Sequence, residues 1–209
     1  MNNRKPKIGI IIGSTRDTRF ADKPANWILE KARERDDLLF ELLDLREFDL
    51  PFFNEKASNL WVPSEDPNAI RWQKTLAGFD GYIFVTSEYN RSIPASLKNA
   101  LDQAYVEWNF KPAAIVAYGS VGGARAAEHL RQIAIELQMV NVRAGVHIGG
   151  SEFMKVSPMG ENQPMSAIEY AIDDAATTML DQLAWWTLLT RSGREGDVAD
   201  VEKKQLEDA

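Results

Sequence analysis

The stretch Tyr82-Ile83-Phe84-Val85-Thr86-Ser87-Glu88-Tyr89-Asn90-Arg91-Ser92-Ile93-Pro94, running on into Ala95-Ser96-Leu97-Lys98-Asn99-Ala100-Leu101-Asp102, decides how this chain is read. It opens on an apolar run of the kind that forms a strand buried on both faces of a parallel sheet. Pro94 then opens a helix-like pattern. Between the two lies a polar, aromatic, turn-rich loop at the C-terminal end of a strand, where open α/β sheets bind their ligands. The loop offers a ring to stack on, an amide, a hydroxyl and several backbone N–H groups, a set that suits a flat heteroaromatic cofactor.

Working outward, the same alternation recurs. Strands are predicted over residues 8–12, 38–45, 81–86, 113–118 and 140–148. Helices are predicted from Pro24 to the charged stretch 33–37, from Pro67 or Asn68 to Gly78, from Ala95 to about Val106, over 124–137, and through Ile168, Ile172, Ala175, Met179, Leu183 and Trp186. Residues 50–67, with Pro51, Pro63 and Pro67, read as a long irregular segment of the kind that often carries function. Alternating strands and helices imply a parallel sheet covered on both faces, and the right-handed crossover leaves few topologies. The expected fold is α/β, a flavodoxin-like three-layer sandwich around a five-stranded parallel sheet of order 2-1-3-4-5. One domain is expected over residues 1–190, followed by a charged, flexible tail over 191–209.

Composition removes several classes of function. With 24 Lys and Arg against 31 Asp and Glu the net charge is −7, and the basic residues are scattered, which argues against a nucleic-acid partner. The absence of cysteine excludes disulfides, thiol nucleophiles and thiolate metal sites. No window approaches the ~18 apolar residues of a membrane span, and the apolar run 8–12 is too short for a signal peptide. A cytoplasmic location is therefore expected.

Three loops follow three predicted strands and should lie along one sheet edge. Gly13-Ser14-Thr15-Arg16-Asp17-Thr18-Arg19 combines hydroxyls, two arginines and a nearby helix N-terminus, the parts of a phosphate site. Alone it could equally be a turn with a helix cap. The Glu88–Ser92 stretch could likewise be a simple strand-to-helix connection. Gly119-Ser120-Val121-Gly122-Gly123 permits positive φ and close backbone approach, in a ligand site or in a tight turn. Their coincidence at one edge favours a binding site. His129 and His147 lack metal-ligand spacing, so no metal is expected, and no Gly-x-Ser-x-Gly elbow supports Ser14 or Ser120 as a nucleophile. No catalytic side chain is assigned.

These three segments resemble the NADPH-dependent FMN reductases, a flavodoxin-like family that includes quinone, chromate and azo-dye reductases. Gly13-Ser14-Thr15-Arg16 is similar to the family's Gly-Ser-x-Arg loop. Glu88-Tyr89-Asn90, Ser92, Pro94 and residues 97–102 match its Pro-Glu-Tyr-Asn-x-Ser-x-Pro motif and the helix that follows. Gly122-Gly123-Ala124-Arg125-Ala126 is similar to its third loop. Ser87 departs from the family's Pro, and Arg91 stands where a small residue is common. Arg19-Phe20 replaces a segment where many members carry Ser.

The resemblance implies FMN as cofactor and NADPH or NADH as co-substrate. Ser14, Arg16 and Arg19, with Phe20 beside them, would hold the FMN phosphate end. Glu88, Tyr89, Asn90, Arg91 and Ser92 would border the isoalloxazine, largely through backbone groups, with Gly119, Ser120, Gly122 and Gly123 against its other edge. Arg125 reads equally as an ion-pair residue. Hydride would pass from NAD(P)H through flavin N5 to a quinone, free flavin or similar small-molecule acceptor. The alternatives are an FMN-binding electron carrier or redox sensor without NAD(P)H turnover, and a flavin-free scaffold. A homodimer or tetramer is implied, with Trp72 and the segment 97–108 offering apolar interface surface.

Overall fold

Isoleucines and valines in the predicted strands divide their side chains between two separate cores. In β1 (Lys7–Ile12), Ile8, Ile10 and Ile12 enter one core and Ile11 the other. In β3 (Gly81–Ser87), Ile83 and Val85 go one way and Tyr82 and Phe84 the other. In β4 (Pro112–Tyr118), Ala114, Val116 and Tyr118 oppose Ala113, Ile115 and Ala117. This period of two explains why the runs are apolar throughout: both faces of the sheet are covered.

The computed structural model describes residues 4–196. With β2 (Leu39–Asp44), the strands pair in parallel in the order β2-β1-β3-β4. The outer position beside β4 is shared by β5 (Val140–Asn141) and β6 (Val146–Ile148). Helices α1 (Asp22–Arg33), α5 (Gly150–Val156) and α6 (Glu169–Glu195) cover one face. Helices α2 (Pro67–Ala77), α3 (Ala95–Asp102) and α4 (Ala124–Glu136) cover the other. The three-layer sandwich and its strand order stand as expected. Among the described residues no helix is long and apolar enough to cross a membrane.

Four local expectations are corrected. The strand over 140–148 is broken after Asn141: the Val142 N–H still bonds the Ala113 carbonyl at 2.9 Å, and residues 143–145 then leave the ladder. The Ala144 N–H there bonds Gln182 of α6 instead, and Gly145 passes so close to β4 that a Cβ would lie 3.2 Å from the Ile115 carbonyl oxygen. Helix α3 stops at Asp102 rather than near Val106. The Trp108 indole folds back and donates to the carbonyls of Leu101 and Ala104, at 3.2 and 3.0 Å. Helix α5 was not foreseen. Residues 191–195, expected to open a charged, flexible tail, continue α6 to Glu195, and Arg194 donates to Asp80 and to the Phe110 carbonyl. Residues 197–209 lie outside the described residues.

Candidate functional site

The end of β1 is forced against α3. A Cβ on Gly13 would meet Leu97 at 3.0 Å and the Val85 carbonyl at 3.1 Å, so any side chain here would press on both neighbours. Ser96 Oγ donates to the Gly13 carbonyl at 2.7 Å and fixes the turn from the other side. Ser14 is buried, whereas Thr15, Arg16, Asp17 and Thr18 are exposed. The backbone N–H groups of residues 14–18 donate to no other described residue. The loop therefore presents a set of unused donors beside a hydroxyl and a cation, which is the chemistry of a phosphate cradle.

Arg19 does not join that set of donors. Its side chain is buried, and its guanidinium donates to both oxygens of Asp44 at 2.7 Å and, through Nε, to Asp22 at 3.0 Å. A further 2.8 Å bond from Nη1 to the Ser14 carbonyl holds the loop from beneath. Phe20 is buried too, edge-on to Tyr118 and Phe153. Direct contact with a phosphate, the expectation for Arg19 and Phe20, is thus replaced by support of the loop.

The second loop is a tight hairpin. Tyr89 and Ser92 exchange both backbone hydrogen bonds, at 2.9 and 3.0 Å, around Asn90 and Arg91 with φ of 49° and 69°. Two successive positive φ values define a type I′ turn. Tyr89 leans toward the first loop, its phenol 3.4 Å from Ser14 Oγ and from Arg16 Nη1. Burial pushes this phenol up, but Ser14 and then Arg16 outweigh it, so it sits below its ordinary value. Glu88 turns away from the edge. Its buried carboxylate pairs with the Arg125 side chain and accepts the Arg125 N–H at 3.1 Å, capping α4. Burial opposes ionisation of Glu88, yet these bonds hold its carboxyl below the usual range. The Glu88 N–H is spent on the Tyr118 carbonyl at 3.1 Å, so its side chain and its N–H are both engaged. Ser87, the departure from the family's Pro, simply continues the ladder opposite Tyr118.

In the third loop, Gly119, Gly122 and Gly123 all have φ in the left-handed region. Gly123 cannot carry a Cβ, which would stand 2.7 Å from the Tyr118 nitrogen. The N–H groups of Ser120 and Val121 donate to no described residue. His147 Nδ1 lies 3.0 Å from the Gly122 carbonyl and must be the donor. Gly149 packs its backbone directly onto Gly122. Sequence reasoning missed Gly149, although a Gly-Gly pair closing a strand was the available signal. It also missed Asp22 and Asp44 as partners of Arg19, and His129, whose Nδ1 lies 2.7 Å from Ser92 Oγ.

The three loops stand side by side at the C-terminal edge of β1, β3 and β4. A cleft of about 580 Å³ opens beside the first, lined by Thr15, Asp17, Arg46, Leu50, Phe52 and Ser96 among others. It touches neither the 89–92 turn nor the Gly-rich loop, so of the three loops it flanks only the first.

Residues 6–152 match the NADPH-dependent FMN reductase family. The chain belongs to that family. Over 201 residues this family member is 34% identical to an NAD(P)H-dependent FMN reductase of Nectria sp, covering 92% of this chain and 91% of the relative. Over 142 residues it is 34% identical to a 2-hydroxy-1,4-benzoquinone reductase of Burkholderia sp, covering 64% and 73%. A solved flavoenzyme NAD(P)H:(acceptor) oxidoreductase of Paracoccus denitrificans shares the fold, with TM-score 0.64 and 23% identity over 88% of this chain and 98% of that one. FMN is the family's cofactor, and the residues here fit it. The unused donors of residues 14–18 suit its phosphate. The glycine cradle and the unused N–H groups of Ser120 and Val121 suit a flat ring with polar edges.

Proposed function

We propose that this FMN reductase takes reducing equivalents from NADPH or NADH and delivers them to a small quinone or free flavin, in the cytoplasm. The observation that carries the reading is the set of unused backbone donors on two loops of one sheet edge, with a tyrosine-bearing turn between them. FMN, when bound, supplies the hydride relay between the two substrates. The protein's part is placement. Ser14, Thr15 and Arg16 bind the phosphate. The backbone of residues 88–92 borders the ring, and the N–H groups of Ser120 and Val121 favour negative charge on its edge. Arg91, exposed at the apex of the turn, offers its cation to an anionic partner such as a nucleotide phosphate.

Purified protein loaded with FMN and freed of excess is expected to absorb near ~450 nm and to bleach under anaerobic NADPH. Bands that persist under both NADPH and NADH would replace the reductase with a carrier. Protein that retains no flavin and does not reduce free FMN would remove the reading.

The reading includes a homodimer, but not through the aromatics first expected. Trp72 and Trp108 are fully buried in the core. Phe52 and Trp61 instead stand 82% and 77% exposed on the long 50–67 segment, beside Leu60 and Val62. A second copy is the proposed cover for this apolar patch. Sedimentation at micromolar concentration is expected to give twice the chain mass, falling to one chain in a Phe52→Asp, Trp61→Asp double variant. A monomeric wild type would exclude the dimer.

A further inference from the structure

The turn that borders the proposed ring site is not stable by its own chemistry. Type I′ turns favour Asn at the first left-handed position and Gly at the second. This chain meets the first preference with Asn90 and breaks the second with Arg91, whose side chain is disfavoured at φ 69°. A single pair of backbone bonds closes the hairpin. Such a conformation persists only where its surroundings over-determine it.

Helix α4 supplies those surroundings. At one shoulder of the turn, Glu88 pairs with Arg125. At the other, Ser92 Oγ lies 2.7 Å from His129 Nδ1. Arg125 and His129 are four residues apart and so share a face of the helix. The opposite face is locked into the core through Ala126, Ala127, Leu130 and Ala134. The same helix begins at the Gly-rich loop, so both ring-bordering loops hang on one rigid element.

We infer that His129 is a positioning residue, which holds the 89–92 turn in its strained form and thereby fixes the backbone that borders the cofactor. The role does not depend on tautomer, since Nδ1 can accept from the Ser92 hydroxyl or donate to it. A Ser92–His129 nucleophile pair is a different matter. It would need an acidic group to orient the other ring nitrogen, and none bonds it among the described residues. The inference rests on the proposed ring site for its consequence, but not for the clamp itself.

Two variants test it. In His129→Asn the amide can occupy the place of Nδ1, whereas His129→Leu removes the bond. In flavin-free protein, amide hydrogen exchange over residues 88–92 is expected to quicken about fivefold in His129→Leu and to stay near wild type in His129→Asn. The dissociation constant for FMN, read by fluorescence quenching, is expected to rise about threefold to tenfold in His129→Leu alone. Adding Arg91→Gly relieves the strained position, so the cost of His129→Leu should shrink in that background. Unchanged exchange over 88–92 in His129→Leu would overturn the inference. So would an equal loss of affinity with Arg91 and with Arg91→Gly. If exchange responds as expected but wild-type protein binds no FMN, the clamp stands and the flavin reading falls.

Discussion

Replacing Gly149 by alanine is expected to lower FMN affinity tenfold or more, although Gly149 lies beyond all three loops that border the site. Its backbone is extended, with φ −141° and ψ 179°, so alanine meets no torsional penalty there. The obstacle is contact. A Cβ at this position would stand 2.3 Å from the Gly122 nitrogen and 2.7 Å from its Cα, and backbone atoms cannot swing aside as a side chain can. Either β6 or the Gly-rich loop must move. The loop is the softer of the two, because residues 146–148 are locked into the ladder on β4. Its displacement carries away the Ser120 and Val121 donors. Overpacking of this kind costs about 1–3 kcal/mol, so the variant should fold but lose its flavin on gel filtration. Gly150→Ala is the control. That residue is left-handed at φ 54°, yet a Cβ there would meet only a Glu152 carboxylate oxygen, at 4.0 Å, so it should lose some stability and keep its flavin. Equal flavin retention by both variants would show that the backbone contact does not shape the site.

The layout of the fold could be read from the chain because parallel strands buried on both faces leave unbroken apolar runs, and the helices between them keep their own period. The break at residues 143–145 could not, because it depends on Gln182 of α6 capturing the Ala144 N–H. The three loops were legible by position, since each follows a strand. The partners of their side chains were not. Arg19 reads as a phosphate ligand when only its neighbours are considered. Its true partner, Asp44, is brought to it by the parallel register that sets Ile12 opposite Asp44. Glu88 is expected at the ring largely through its backbone, and the destination of its carboxylate, the helix starting at Ala124, is not legible in the sequence. Trp72 and Trp108 looked available for an interface, and the structure spends them on an aromatic cluster with Phe48, Tyr82 and Phe84. In each case the missing information is a contact between residues distant in sequence.

Arg19→Ala is expected to be the most damaging single change in the first loop, through stability before binding. The guanidinium side chain is 1% exposed and neutralises Asp44, which is itself only 16% exposed. Removing one partner of a buried pair costs roughly 3–5 kcal/mol. Here Arg46 still reaches Asp44, at 2.9 Å, and Asp22 is half exposed, so about 2–3 kcal/mol is the expected loss. For a chain of this size that lowers Tm by roughly 5–10 °C. The loss should depend on pH. Burial alone would raise the Asp44 carboxyl, but Arg19 and then Arg46 hold it far below the usual carboxylate range. A group with a depressed folded pKa stabilises the protein above its unfolded value near ~3.9, and that stability is lost as pH falls further. The gap between wild type and Arg19→Ala in urea unfolding should therefore be widest at pH 7 and should narrow by pH 3. Arg19→Lys keeps the charge but not the fork that serves Asp44, Asp22 and the Ser14 carbonyl together, so it should recover only part of the loss. The Ser14 carbonyl then loses its anchor, and FMN affinity should fall in both variants even where they remain folded. A gap that stays constant between pH 7 and pH 3 would place the origin of the loss outside the Arg19–Asp44 pair.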